Sequence, residues 1–151
     1  MKNIFLIKHS KGALGLRFLG LGPNLKPVKG LFKLQQLFNR NTFWATNRTI
    51  SDLKQCLANS DVIISIWSDD EIVGFGRALS DGVYRGVLWD IVIDKNHQGN
   101  GYGKLIVENL LNSIKIKNTK KIYLMTTNKK LFYSQIDFKE VTTQNLLIRE
   151  I

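Results

Sequence analysis

A single cysteine, Cys56, excludes an internal disulfide and any cysteine-rich zinc site. The two histidines, His9 and His97, stand far apart in sequence and offer no metal-ligand spacing. No apolar run approaches the ~18 residues that a membrane span needs. A chain with neither disulfide framework nor membrane segment is at home in a reducing interior compartment. Acids are scarce at one end: residues 1–60 carry ten Lys and Arg against one acid, Asp52, whereas residues 61–151 carry twelve against eleven. The net charge of +10 therefore belongs almost entirely to the N-terminal part. Such a surface can attract phosphates, acidic protein, nucleic acid or anionic lipid, and it can equally be a solvated face without a dedicated partner.

Prolines are nearly absent too. Pro23 and Pro27, with Gly20 and Gly22, mark residues 20–29 as a loop. The acid-poor start hints at a transit peptide, but residues 4–7 read as a strand, and Ser and Arg are not enriched. Gly12, Gly15, Gly20 and Gly22 break any signal-peptide shape. The expectation is mature protein from the start: one domain over 1–151, with an N-terminal strand and basic loop in 1–29. That length suffices for a two- or three-layer core.

Hydrophobic periodicity then orders the chain. Leu31, Leu34, Leu37 and Phe38 recur at helical spacing over residues 30–39. Thr49 or Ser51 can cap a second helix that buries Leu53, Cys56 and Leu57. Residues 62–67 and 72–79 read as strands joined in a hairpin through residues 68–71, and a turn at 80–82 leads to a strand over 87–93. A helix follows with Leu105, Ile106, Leu110, Leu111 and Ile114 on its apolar side. Residues 121–126 read as a strand, 131–136 as a short helix and 141–148 as a final strand. The pattern predicts an α/β (α+β) fold: a mixed, mostly antiparallel sheet with helices on both faces.

The most informative stretch runs from Ile91 to Lys104. A β-branched strand passes through a polar turn into Gly99, Gly101 and Gly103, and a helix opens there. Glycines let a ligand approach the backbone amides, and those amides lie at the positive end of a helix dipole. The pattern suits a phosphate or pyrophosphate. A dinucleotide fingerprint needs Gly-x-Gly-x-x-Gly and a later acid, and this chain has neither. A P-loop needs a hydroxyl after its lysine, where Leu105 stands. Gln98-x-x-Gly101-x-Gly103 after a strand instead resembles the acetyl-coenzyme A signature of the GCN5-related N-acetyltransferases (GNAT), Arg/Gln-x-x-Gly-x-Gly/Ala.

A second motif lies about 30 residues on. Asn128, followed by Phe132, Tyr133 and Phe138, resembles that family's Asn followed by Phe-Tyr-x-x-x-Gly-Phe, with Asp137 in place of the glycine. Asp tolerates a left-handed turn conformation, so the departure is compatible with the loop. Residues 75–82 and 88–94 resemble the plastid and cyanobacterial branch, which includes serotonin N-acetyltransferases and plant plastid protein acetyltransferases. The chain is similar to the small member encoded in algal plastid genomes. The likeness covers roughly residues 17–151, with 62–138 as the acetyl-CoA-binding core.

This resemblance implies a GNAT sheet of six to seven strands, acetyl-CoA as co-substrate and no metal. It implies acetyl transfer to a primary amine, either a small arylalkylamine such as serotonin or a protein lysine or N-terminus. It implies a plastid stromal protein made inside the organelle, or else one from the cytoplasm of a cyanobacterium or other bacterium, and it leaves homodimerisation open. Ile91, Val92 and Ile93 would pair with the pantetheine arm. Gln98, Gly99, Asn100, Gly101, Tyr102, Gly103 and Lys104 would hold the pyrophosphate. Tyr133 would be the general acid, since a phenol with pKa near 10 stays protonated at neutral pH; it also reads as a core tyrosine. Asn128 would position the coenzyme or cap the next helix. Asp90 would be a base, or a structural partner of Arg77 or Arg85. Trp67, Arg77 and Trp89 would line the acceptor cleft, and His97 reads as exposed and without a partner. The competing reading is a non-catalytic module that senses coenzyme A or binds RNA or ribosomes. The basic N-terminal part lacks an aromatic-and-basic RNA motif, which ranks nucleic acid below catalysis.

Overall fold

The computed structural model describes residues 1–151 and builds one five-stranded sheet, β1 to β5, in chain order. β1 (Ile4–Lys8), β2 (Val62–Ser68), β3 (Glu71–Ser80) and β4 (Arg85–Ile93) pair antiparallel, and β5 (Lys121–Tyr123) joins β4 in parallel. Five helices cover the two faces: α1 (Leu14–Leu19), α2 (Gly30–Asn41), α3 (Ile50–Ala58), α4 (Tyr102–Leu111) and α5 (Lys130–Ser134). No helix is long and apolar enough to cross a membrane.

β2 shows why the sheet lies between two layers. All seven of its residues are buried, as expected for a near-continuous apolar run covered on both faces. Ile63 and Trp67 point into one core with Leu16 of α1, Leu34, Leu37 and Phe38 of α2, and Leu53 and Leu57 of α3. Val62, Ile64 and Ile66 point into a second core with Ile106, Val107 and Leu110 of α4. α3 starts where its cap requires: the Thr49 side chain accepts a hydrogen bond from the Asp52 N–H at 3.0 Å.

Four expectations need correction. The segment from 12 to 20 contains a helix, because Gly20 serves as its left-handed C-cap (φ 61°) and Gly15 makes room for Leu21. The sheet has five strands rather than six to seven: residues 141–148 form no strand, and β5 offers only three residues of ladder for another strand to extend. The strand expected over 121–126 stops at Tyr123, since β4 and β5 part company there. Ile114 is exposed, because α4 ends at Leu111 and the chain buries Ile116 instead.

Candidate active site

β4 and β5 pair only through Arg85–Lys121, Gly86–Ile122 and Val87–Tyr123. Beyond that point β4 continues for six residues, Leu88 to Ile93, paired with β3 alone on the stretch that faces away from β5. The divergence opens a cleft of about 1100 Å3 between β4 and residues 124–129. The glycine loop lines one part of it, and the turn after α2 lines another with Phe43, Trp44 and Arg48.

The loop is held by its own side chains. Asp94 accepts from the Asn96 N–H (3.0 Å), and its own N–H donates to the Val73 carbonyl (2.8 Å). Gln98 donates through Nε2 to the Ile93 carbonyl at 3.2 Å, which ties the loop back to the end of β4. Asn100 donates through Nδ2 to the His97 carbonyl at 3.0 Å. Gly99 and Gly101 adopt φ of 80° and 81°, and a Cβ added at either would meet nothing within 4 Å. These glycines answer a backbone demand and leave open space in front of the amides that begin α4. Gly103 answers a packing demand, since its Cβ would come within 3.2 Å of the Phe132 ring. No side chain caps α4, so its first N–H groups remain available to an anion. Tyr102 packs into the second core, and the exposed Lys104 lies 3.8 Å from Glu108 on the same helix face.

Asp90 occupies an irregular place on β4. Its φ is 55°, and the β3–β4 register shifts between Phe75 and Arg77, so the strand bulges there. The bulge changes the alternation: Leu88 and Ile91 contribute to the α4-side core, whereas Val92 turns to the α2-side core. The Asp90 carboxylate is only 5% exposed and accepts from two arginines. Arg48 donates through Nη1 (2.9 Å) and Nη2 (3.1 Å), and Arg77 donates through Nε at 2.7 Å. Burial pushes its pKa up, but the Arg48 hydrogen bonds and the Arg77 charge outweigh that and hold it below the usual carboxylate range. The ion pair with Arg77 is the alternative the sequence left open. The second partner is Arg48, while Arg85 lies over the Tyr123 ring.

Tyr133 stands across the cleft, edge-to-face with Phe132 (4.9 Å between centroids) and Phe138 (6.0 Å). Burial raises its pKa, so the phenol keeps its proton at neutral pH. Asp137 takes the left-handed conformation (φ 71°), and the Ile136 and Phe138 amides both donate to the Tyr133 carbonyl. Asn128 lines the cleft. The cap position of α5 belongs to Lys129, and no side chain caps that helix.

The cleft thus gathers Asp90, Ile91 to Ile93, Gln98, Gly99, Gly101 to Lys104, Asn128 and Tyr133, together with Arg77 and Trp89. Trp67 lies elsewhere: it is fully buried, and its Nε1–H donates to Ser65 Oγ at 2.8 Å. His97 is half-buried rather than exposed, and its Nδ1 lies 3.3 Å from Asp94. Asn41, Phe43, Trp44 and Arg48 were not apparent in the sequence as site residues. Their one signal is a cluster of aromatics and an arginine in an otherwise polar linker between two helices.

An apolar slot with a free strand edge, an anion-ready helix start and a protonated phenol suits a long phosphorylated thioester. Comparisons with known proteins agree with the fold. The chain superimposes on a GNAT-family acetyltransferase structure from Xanthomonas campestris pv. campestris with a TM-score of 0.73, at 18% identity, covering 100% of this chain and 95% of that one. It is 31% identical over 118 residues to the N-acetyltransferase ycf52 of Porphyra purpurea, covering 76% of this chain and 66% of that protein. It is 29% identical over 135 residues to GCN5-related N-acetyltransferase 1, chloroplastic, of Arabidopsis thaliana (86% and 63%). It is 32% identical over 98 residues to serotonin N-acetyltransferase 2, chloroplastic, of Oryza sativa subsp. japonica (60% and 46%). The chain spans about half to two thirds of the length of these curated relatives. The sequence model of the Acetyltransferase (GNAT) family matches residues 31–138, and the chain belongs to that family.

Proposed function

We propose that this protein is an acetyl-CoA-dependent N-acetyltransferase that transfers directly to a primary amine while both substrates are bound. The observation that carries the proposal is the parting of β4 from β5, which leaves a strand edge free along a cleft that begins at the glycine loop. When bound, acetyl-CoA supplies the acetyl group as a reactive thioester. The amides of Gly99 to Gly103 hold the pyrophosphate, and Gln98, Asn100, Tyr102 and Lys104 shape that loop. The backbone of Ile91, Val92 and Ile93 pairs with the extended arm. An amide of this strand donates to the carbonyl oxygen as negative charge builds there; losing one such donor costs about 3 kcal/mol of barrier.

Tyr133 donates the proton that the departing sulfur takes up. Asn128 lines the path between the loop and Tyr133 and positions the arm. Asp90 sits at the reacting end, but its two arginines lower its proton affinity and make it a weak base. Its main part is to fix Arg48 and Arg77, and the amine loses its proton to water in the cleft. That route favours acceptors with low pKa: an α-amine near 7.7–8.0 is far more often neutral at pH 7 than a lysine near 10.4. The chloroplastic relatives support a plastid setting.

The test is coenzyme release from acetyl-CoA across a panel of amines and peptides, with mass spectrometry of the product. Acetylated amine supports the proposal. Tight coenzyme binding without product on any amine would favour the sensing module instead.

A further inference from the structure

The acceptor end of the cleft holds more positive charge than Asp90 can neutralise. Arg48 and Arg77 together meet one carboxylate, which leaves one positive charge in excess. Asp90 is the only acid among the residues lining the cleft, and both of its oxygens are already engaged. A guanidinium carries five N–H donors. Arg48 spends two on Asp90, and its side chain remains 29% exposed on the cleft wall. Its plane is anchored rather than mobile: the guanidinium carbon lies 5.2 Å from the Phe38 ring centre and 5.9 Å from that of Trp44. Phe43 and Trp44 beside it are 74% and 45% exposed, which offers apolar surface to an acceptor.

An arginine with free donors, fixed orientation and surplus charge is built to receive a carboxylate. A second cation in the same place would face repulsion with no acid left to meet it. We propose that Arg48 reads the acceptor by binding a carboxylate close to the reacting amine, so that preferred acceptors are amines bearing a nearby negative charge and an apolar body. The carboxylate can belong to a free amino acid or to an acidic residue next to a peptide N-terminus. The inference rests on the acetyltransferase reading of the cleft and narrows its substrate class.

Tryptophan and tryptamine form a matched pair that differs only by the carboxylate, and peptides beginning Ser-Glu and Ser-Lys form a second. Initial rates with acetyl-CoA should favour the carboxylate-bearing member of at least one pair by tenfold or more in kcat/KM. Which pair responds identifies the source of the carboxylate. Calorimetric titration of the same compounds into protein saturated with coenzyme A should show the same order without any turnover. Arg48→Gln should bring the ratio close to one, mainly by raising KM for the carboxylate-bearing acceptor. Arg48→Lys keeps a cation near Asp90 and should retain part of the preference, which separates charge reading from loss of structure. Preference for the cationic member in both pairs, or an unchanged ratio in Arg48→Gln, overturns the inference and leaves the acetyltransferase reading standing. Absence of both coenzyme binding and transfer strikes that reading itself, and this inference with it.

Discussion

The two ends of the cleft are made in different ways. The end we assign to the coenzyme is one continuous run, residues 91–104, whose shape comes from glycine φ angles, a strand end and a helix start. The end we assign to the acceptor brings together Arg48, Arg77 and Asp90, and Arg48 lies 42 positions from its carboxylate. A local device tolerates much change in its surroundings, because its geometry is set within a few residues. A device assembled across the fold depends on every element beneath it.

That contrast can be broken first at the coenzyme end. Gly101→Asp is strained by about 1 kcal/mol at φ 81°, but its Cβ meets no neighbour within 4 Å, so the fold should survive, as circular dichroism can check. Its carboxylate would oppose the phosphates, and calorimetry should show acetyl-CoA affinity reduced by about a thousandfold, or roughly 4 kcal/mol. An unchanged affinity would remove the loop from the site. At the acceptor end the effect should fall on stability. Asp90→Asn suits φ of 55° but leaves two guanidiniums without their counter-charge, and urea unfolding should show a loss of about 3 kcal/mol. If its coenzyme affinity falls along with stability, the two ends are not independent.

A control lies away from both ends. His9 is half-buried with Nε2 2.7 Å from Ser65 Oγ, and desolvation lowers its pKa to about 4 from 6.5. The folded state thus binds fewer protons than the unfolded one between these values. Stability should be complete above pH ~6.5 and fall by about 3 kcal/mol as pH drops to ~4. The shifted carboxylates of Asp81, Asp90 and Asp94 act in the same direction at lower pH. His9→Gln should flatten the upper part of that profile without altering turnover. Last, Tyr133→Phe should lower kcat by about a hundredfold while coenzyme affinity stays within twofold. Equal losses in both would make Tyr133 a packing residue.

The sequence made the glycine loop and the wall opposite it legible because their determinants are neighbours. Gly99, Gly101 and Gly103 announce the loop, and Phe132, Tyr133 and Phe138 announce the opposite wall at fixed offsets. The acceptor end was half legible. Asp90 and Arg77 lie on paired strands that the hairpin pattern brings together, so their contact could be foreseen. Arg48 could not be, because its place depends on how the linker after α2 folds over the sheet. Trp67 misled for a related reason: alternation along β2 turns it toward α2, while a bulge resets the alternation of β4 beside Trp89. The absent strand over 141–148 shows a limit of another kind. Apolar residues such as Leu146, Leu147 and Ile148 look strand-like, yet a strand needs a partner ladder, and β5 stops after three residues.

The central claim is that the free edge of β4 and the start of α4 grip one ligand together. Amide chemical shifts of isotopically labelled protein, followed while acetyl-CoA is added, test this most directly. The expected result is a single set of shifts concentrated on Ile91, Val92, Ile93, the amides from Gly99 to Gly103, and Tyr133. Shifts confined to the basic N-terminal face, with β4 and the loop unmoved, would contradict it.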